Sequence, residues 1–140
     1  MASARTTLSF DDVELGDELP ESHPLVSLEV VQSFCDTARM NFGRFTDHEQ
    51  ARAEGLPGAI VPGIMSQGLL AAMIHAWAPG CRIRVLDTVF RAPVAVDSSP
   101  VCRGAITDTD PASRCVEIDL TIQNETGETR VVGTATVELA

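Results

Sequence analysis

The sequence predicts an α+β domain in which an antiparallel sheet wraps around one long central helix. Three observations carry that prediction. Residues 55–81 (GLPGAIVPGIMSQGLLAAMIHAWAPGC) hold no formal charge. Within them, Gly63 to Trp77 shows only Ser66, Gln67 and His75 as polar side chains. A helix apolar on nearly every face belongs in an interior. After Arg82 the hydrophobic period changes from helical spacing to two, as in half-buried strands.

Residues 1–8 read as a flexible arm, and 9–21 (SFDDVELGDELPE) as a short strand or extended segment with a turn at Gly16-Asp17. Ser27 is placed to cap a helix whose first turn holds Glu29, favourable at the positive end of the dipole. Val30, Val31, Phe34, Cys35 and Ala38 give that helix one apolar face. Phe34, Phe42 and Phe45 cluster near its end, as an apolar pocket wall or as a staple for the next helix. Asp47 and Gln50 suit the cap and third position of a short helix, DHEQARAE, that Gly55 stops. Pro62 suits the first turn of the central helix because it has no N–H to leave unpaired, and Pro79-Gly80 ends it.

Residues 82–95 read as one long strand with Pro93 near its end, where a missing N–H does least harm. Residues 100–107 form a second strand, followed by a polar turn over TDTDPAS. In CVEIDLTIQN, Val116, Ile118, Leu120 and Ile122 face one way and Glu117, Asp119, Thr121 and Gln123 the other. A turn at Asn124–Glu128 returns the chain as a last strand. With no repeat and no linker, residues 1–140 make a single domain, long enough to bury its own core.

Composition narrows the function. A net charge of −10 disfavours nucleic acid and offers no basic face to an anionic membrane. The central apolar stretch is interrupted by Pro57, Pro62 and Pro79, so it is not a membrane span. All ten basic residues are arginine. Four scattered cysteines (Cys35, Cys81, Cys102, Cys115) and three histidines lack metal-ligand spacing, so no metal is expected. The first residues contain no apolar signal segment, and a reducing, cytoplasmic setting is expected. The sequon at Asn124 then carries no meaning.

At residues 47–65 the pattern D-x-x-x-A-R-A-x-G-L-P-G-A-I-V-P-G-I-M resembles the MaoC-like (R)-specific enoyl-CoA hydratases, which have the hot-dog fold. That family runs from an acidic residue through Y-A-x-x-x-G-F to I-V-H-G-M. FDDVELGDELPE resembles the family's F-x-D-L-x-V-G-D, and VFRAPVAVD its F-x-x-P-V-x-x-G-D, with Asp97 where the family glycine lies. The resemblance covers almost the whole chain and implies a hot-dog domain. It also implies a hydratase or dehydratase (lyase) chemistry on acyl-CoA or acyl-carrier thioesters, with no further cofactor.

The family's G-D-x-N-P-x-H-x-D supplies a catalytic Asp and His. Aligned on Asp47, those positions hold Met40 and Phe45 here, and Phe42 replaces the Asn. Slid by one residue, Asn41 meets the Asn, but Arg39 and Arg44 then occupy the dyad. Neither register supplies a base, and the His leading the helix is Pro62. What remains is the helix N-terminus at Pro62, Gly63 and Ile64, whose N–H groups can polarise a thioester carbonyl. Such a donor contributes roughly 10²–10³ in rate, against ~10²–10⁴ for positioned acid–base groups.

Weak substitutes are Asp36, one turn before Met40 if the first helix continues, and Asn41; Asp36 reads more simply as a solvated carboxylate. His48 follows the capping Asp47 and is expected to face water. His75, ~18 Å along the helix axis from Gly63, reads as a core or interface histidine. Ser66 and Gln67 lie near the thioester end, as polar groups for hydrolysis or as local hydrogen-bonding residues. Arg44 suits a CoA phosphate, an acidic acyl group or a neighbouring carboxylate. The cysteines read as packing residues. Three readings follow: a thioester-binding protein with altered chemistry, a non-catalytic subunit of a heteromeric hydratase, or a thioesterase. Hot-dog proteins of this kind pair edge to edge with the site at the interface, so a homodimer or a heterodimer with another hot-dog chain is expected.

Overall fold

The computed structural model describes residues 7–140; the arm expected at residues 1–8 lies largely outside the described residues, and Leu8 packs against the core. Four helices precede four strands: α1 (Leu28–Ala38), α2 (Gly43–Thr46), α3 (His48–Ala53), α4 (Gly63–Trp77), β1 (Arg82–Phe90), β2 (Val101–Asp110), β3 (Cys115–Gln123) and β4 (Thr129–Glu138). The strands form one antiparallel sheet in the order β1-β4-β3-β2.

The opening segment is a 3₁₀ turn at Phe10–Asp12 followed by an extended ribbon along the free side of β2. Leu19 N–H donates to the Gly104 carbonyl at 2.9 Å, and Ser22 and Cys102 exchange two bonds. Gly16, at φ 91°, makes the turn that the sequence predicts. Ser27 caps α1 by accepting from Val30 N–H. Val31 and Cys35 are buried, but Ala38 is exposed. The helix stops there because Arg39 turns left-handed, at φ 57°.

The core lies between α4 and the sheet. Leu70 and Ile74 meet Ile106 from β2, Val116, Ile118, Leu120 and Ile122 from β3, and Val131 and Val137 from β4, all at most 2% exposed. The alternation in β3 therefore reports its inner face faithfully. Two boundaries differ from expectation. β1 ends at Phe90, and residues 94–96 turn away to pair with 59–61: Val61 N–H donates to the Val94 carbonyl at 2.8 Å and Val96 N–H to the Ala59 carbonyl at 3.0 Å. β2 runs on through Thr107–Asp110, since the ladder with Cys115–Glu117 satisfies backbone that a turn would leave open. The turn shrinks to residues 111–114.

α4 is enclosed on one side only. Ile64, Gly68, Ala72, His75 and Ala76 are exposed, so one apolar stripe of the helix has no cover within the chain. Beside it, Val85, Val89 and Phe90 of the sheet's edge strand are more than half exposed. The fully wrapped helix that hydrophobicity alone predicts is thus half wrapped in the single chain.

Candidate functional site at the N-terminus of the central helix

The chain reaches α4 along a short ladder, residues 59–61 against 94–96, which fixes the direction of helix entry. Pro62 is the cap residue rather than a first-turn residue, with φ −56° and ψ 140°, and is buried. A proline side chain has no oxygen to accept from the first turn, and no side-chain cap bond forms. Ser66 N–H takes the Pro62 carbonyl at 3.1 Å. The N–H groups of Gly63, Ile64 and Met65 precede that first intrahelical bond and have no acceptor among the described residues. The dipole of a fifteen-residue helix adds positive potential at this end.

A cavity of about 390 Å³ opens at this end, with Ile60, Gly63, Ser66, Phe90, Arg91 and Val131 in its wall. Gly63 lies close under Phe90: a Cβ there would be 3.1 Å from Cζ of Phe90. Ser66 is 2% exposed and is the one buried polar residue among those described. It forms part of the cavity wall. None of the ten lining residues is Asp, Glu or His.

The structure brings only part of the predicted site together. Gly63 and Ser66 share the cavity, and Pro62 caps the helix beside it. Ile64 is 60% exposed and points to the uncovered stripe. Gln67 turns to the sheet, donating from Nε2 to Thr88 Oγ1 at 3.1 Å. Met40 and Phe45 are half-buried and pack against the core. Phe45 meets Phe42 edge-on, with centroids 6.3 Å apart. Asn41 is exposed. Arg44 donates from Nη2 to Glu54 Oε1 at 3.1 Å, the neighbouring-carboxylate option. Asp36 is exposed, and the break at Arg39 removes the continuous helix that would carry it towards Met40. None of residues 36–47 lines the cavity.

One constellation departs from expectation. His48 is only partly exposed and is engaged on both ring nitrogens. Its Nε2 is 2.8 Å from Asp97 Oδ2, and its Nδ1 accepts from the Ala59 N–H at 3.0 Å. Because an amide must donate, Nδ1 is bare and the proton resides on Nε2, donated to Asp97. Asp97 Oδ1 in turn accepts from Leu28 N–H at 2.8 Å, the first residue of α1. The bond from His48, then that from Leu28, holds the Asp97 carboxyl below its ordinary range. Asp97 adopts φ 63°, which explains why the resembling family has glycine there. Both imidazole nitrogens are occupied, so the pair fastens α1, α3 and the ladder together and leaves no free base.

At the other end of α4, His75 is exposed and 3.6 Å from Cys81 Sγ, which excludes the core reading. Burial pushes the Cys102 thiol up to about 11 and raises Cys35 and Cys81, the behaviour of packing cysteines.

No protein-family model and no curated protein sequence matches the chain. Solved structures do. The R-hydratase PhaJ1 from Pseudomonas aeruginosa superposes with TM-score 0.88 at 18% identity, over 95% of this chain and 86% of that one. A chain of the ChsH1-ChsH2 complex from Mycobacterium tuberculosis gives TM-score 0.83 at 18% identity, over 91% and 98%. A MaoC-like dehydratase is 29% identical with TM-score 0.86; the match covers 96% of this chain and 43% of that one, less than half its length. The fold is the hot-dog fold of MaoC-like dehydratases and (R)-hydratases, as the motifs at residues 47–65 imply.

Proposed function

We propose that this chain binds acyl-CoA or acyl-carrier thioesters at the N-terminus of α4 and is hydratase- or dehydratase-like, with diverged or absent acid–base chemistry. One observation carries the reading. The uncapped N-terminal end of α4 opens on a largely apolar cavity, with Gly63 and Ser66 in its wall. The free N–H groups of an uncapped helix end suit an electron-rich oxygen such as a thioester carbonyl. The same cavity lacks a carboxylate or imidazole to move the α-proton or activate water. Hydrolysis has the same shortage, because Ser66 has no base beside it and Gln67 is held by Thr88. No cofactor beyond the thioester itself enters this reading.

The alternative of a non-catalytic subunit of a heteromeric hydratase is favoured by the uncovered stripe on α4 and the exposed edge strand β1. A similar structure, ChsH1-ChsH2, is itself a complex. A second hot-dog chain laid along that edge would cover the stripe and bring its own acid–base pair. No helix among the described residues is long and apolar enough to cross a membrane. The four free cysteines support the proposed cytoplasmic setting.

The purified chain, incubated with crotonyl-CoA and longer enoyl-CoAs, is expected to bind saturably without loss of enoyl absorbance or release of thiol. Hydration at rates typical of enzymes, about 1–10³ per second, would overturn the diverged-chemistry reading. Thiol release abolished by Ser66→Ala would establish hydrolysis instead. Recovery of hydration only after mixing with a second hot-dog chain would decide for the subunit.

A further inference from the structure

We infer that Arg91 is the anion-recognising residue of this site, and that its ligand is a thioester carrying a negatively charged group; the inference rests on the thioester reading above. Acidic residues outnumber basic ones by 20 to 10 in the sequence. Of the nine described arginines, Arg44, Arg52, Arg84, Arg103, Arg114 and Arg130 each pair with a carboxylate. Among the described residues Arg39, Arg82 and Arg91 have no carboxylate within 4.0 Å. Arg91 alone of these three lines the cavity at the head of α4.

Its backbone is fixed while its side chain is free. Arg91 N–H donates to the Arg130 carbonyl at 2.9 Å and the neighbouring Ala92 N–H to the same oxygen at 3.1 Å. That pair of bonds sets the position where the strand leaves the sheet, directly after Phe90 closes over Gly63. Arg91 therefore belongs to the wall of a cavity that also holds Ser66 and Gly63, the latter at the uncapped end of α4. No carboxylate lines the wall to compete for it. Donors and positive potential without a counter-charge select an anion, and a guanidinium offers a planar fork to phosphate or carboxylate. Arg44, the arginine singled out by its place beside the motif, is taken by Glu54 and lines no part of this cavity.

A thioester can supply the anion in two ways: from the phosphates of its carrier or from a carboxylate on its acyl group. Calorimetric titrations with butyryl-CoA, the uncharged butyryl thioester of N-acetylcysteamine and the glutaryl thioester of N-acetylcysteamine separate them. Arg91→Gln is expected to weaken at least one charged ligand roughly 3- to 10-fold, as for a half-exposed charge-assisted bond. The uncharged thioester should bind both proteins equally, and Arg91→Lys should retain most of the affinity for a phosphate. Loss confined to butyryl-CoA assigns the carrier phosphates; loss confined to the glutaryl compound assigns an acidic acyl group. Because Arg91 is exposed and has no side-chain partner, an unchanged melting temperature is expected for Arg91→Gln. Equal effects on charged and uncharged thioesters would overturn the inference, as would a loss produced by Arg44→Gln instead. Binding of the uncharged thioester with no effect of Arg91→Gln on any ligand would sink Arg91 alone. If none of the three compounds binds, the thioester reading falls with it.

Discussion

Two places in the chain, Gly63 and the His48–Asp97 pair, separate binding from folding. A Cβ on Gly63 would lie 3.1 Å from Phe90, yet Phe90 is 52% exposed and its ring can give way. Gly63→Ala is therefore expected to change stability by less than about 1 kcal/mol, since alanine also favours the helix, while narrowing the cavity. A thermal melt beside a butyryl-CoA titration checks this: nearly unchanged melting with weakened binding. The His48–Asp97 pair behaves in the opposite way. His48→Ala removes the acceptor of the buried Ala59 N–H, a loss of ~1–3 kcal/mol for an orphaned donor, and is expected to lower the melting temperature without selecting among thioesters. The carboxyl of Asp97 has a folded value below its unfolded one, so its stabilisation is present above the ordinary carboxyl range. It is lost as pH falls below about 4. The gap in melting temperature between the wild type and Asp97→Asn should accordingly close on acidification through that range. A gap constant from pH 7 to pH 3 would contradict the assignment.

At the scale of elements, local signals were legible wherever the stabilising partner is also local. Ser27 caps α1, Asp47 caps α3 by accepting from Glu49 and Gln50 N–H, and Gly127 turns the last hairpin at φ 81°. The inner face of β3 followed from alternation. What stayed illegible depends on distant partners. His48 and Asp97 are 49 residues apart and share no spacing pattern, so only the folded ladder brings them together. Thr107–Asp110 looks like a turn until β3 pairs with it. The motif at residues 47–65 located the helix head, but it drew attention to Arg44, whereas the cavity adjoins Arg91 at the far end of β1. The apolar character of α4 did not say whether burial is within one chain or between two. Gly68 tests that point, because a Cβ there meets nothing within 4 Å. Gly68→Glu should leave the helical circular dichroism of the isolated chain intact and abolish association, read as a shift to the single-chain mass in light scattering. Association undiminished by that charge would place the interface elsewhere.

For the molecule as a whole, the uncovered stripe on α4 and the open β1 edge lie on one side, and the choice between a second copy and a different chain is partly electrostatic. Two copies bring −10 each. At low ionic strength that repulsion acts over a Debye length of ~30 Å, and at physiological salt over only ~8 Å. Apolar contact between Ile64, Ala72, Ala76, Val85 and Val89 is indifferent to such screening. A homodimer should therefore tighten as salt rises, its dissociation constant falling between 10 mM and 150 mM NaCl (about 0.01 and 0.15 M, the two limits above). A complex with a basic hot-dog partner should loosen over the same interval, because its charges attract. Sedimentation equilibrium across that series, on the chain alone and on any copurifying complex, reads the sign directly. A self-association that weakens with salt would mean that the interface is held by ion pairs rather than by the apolar stripe.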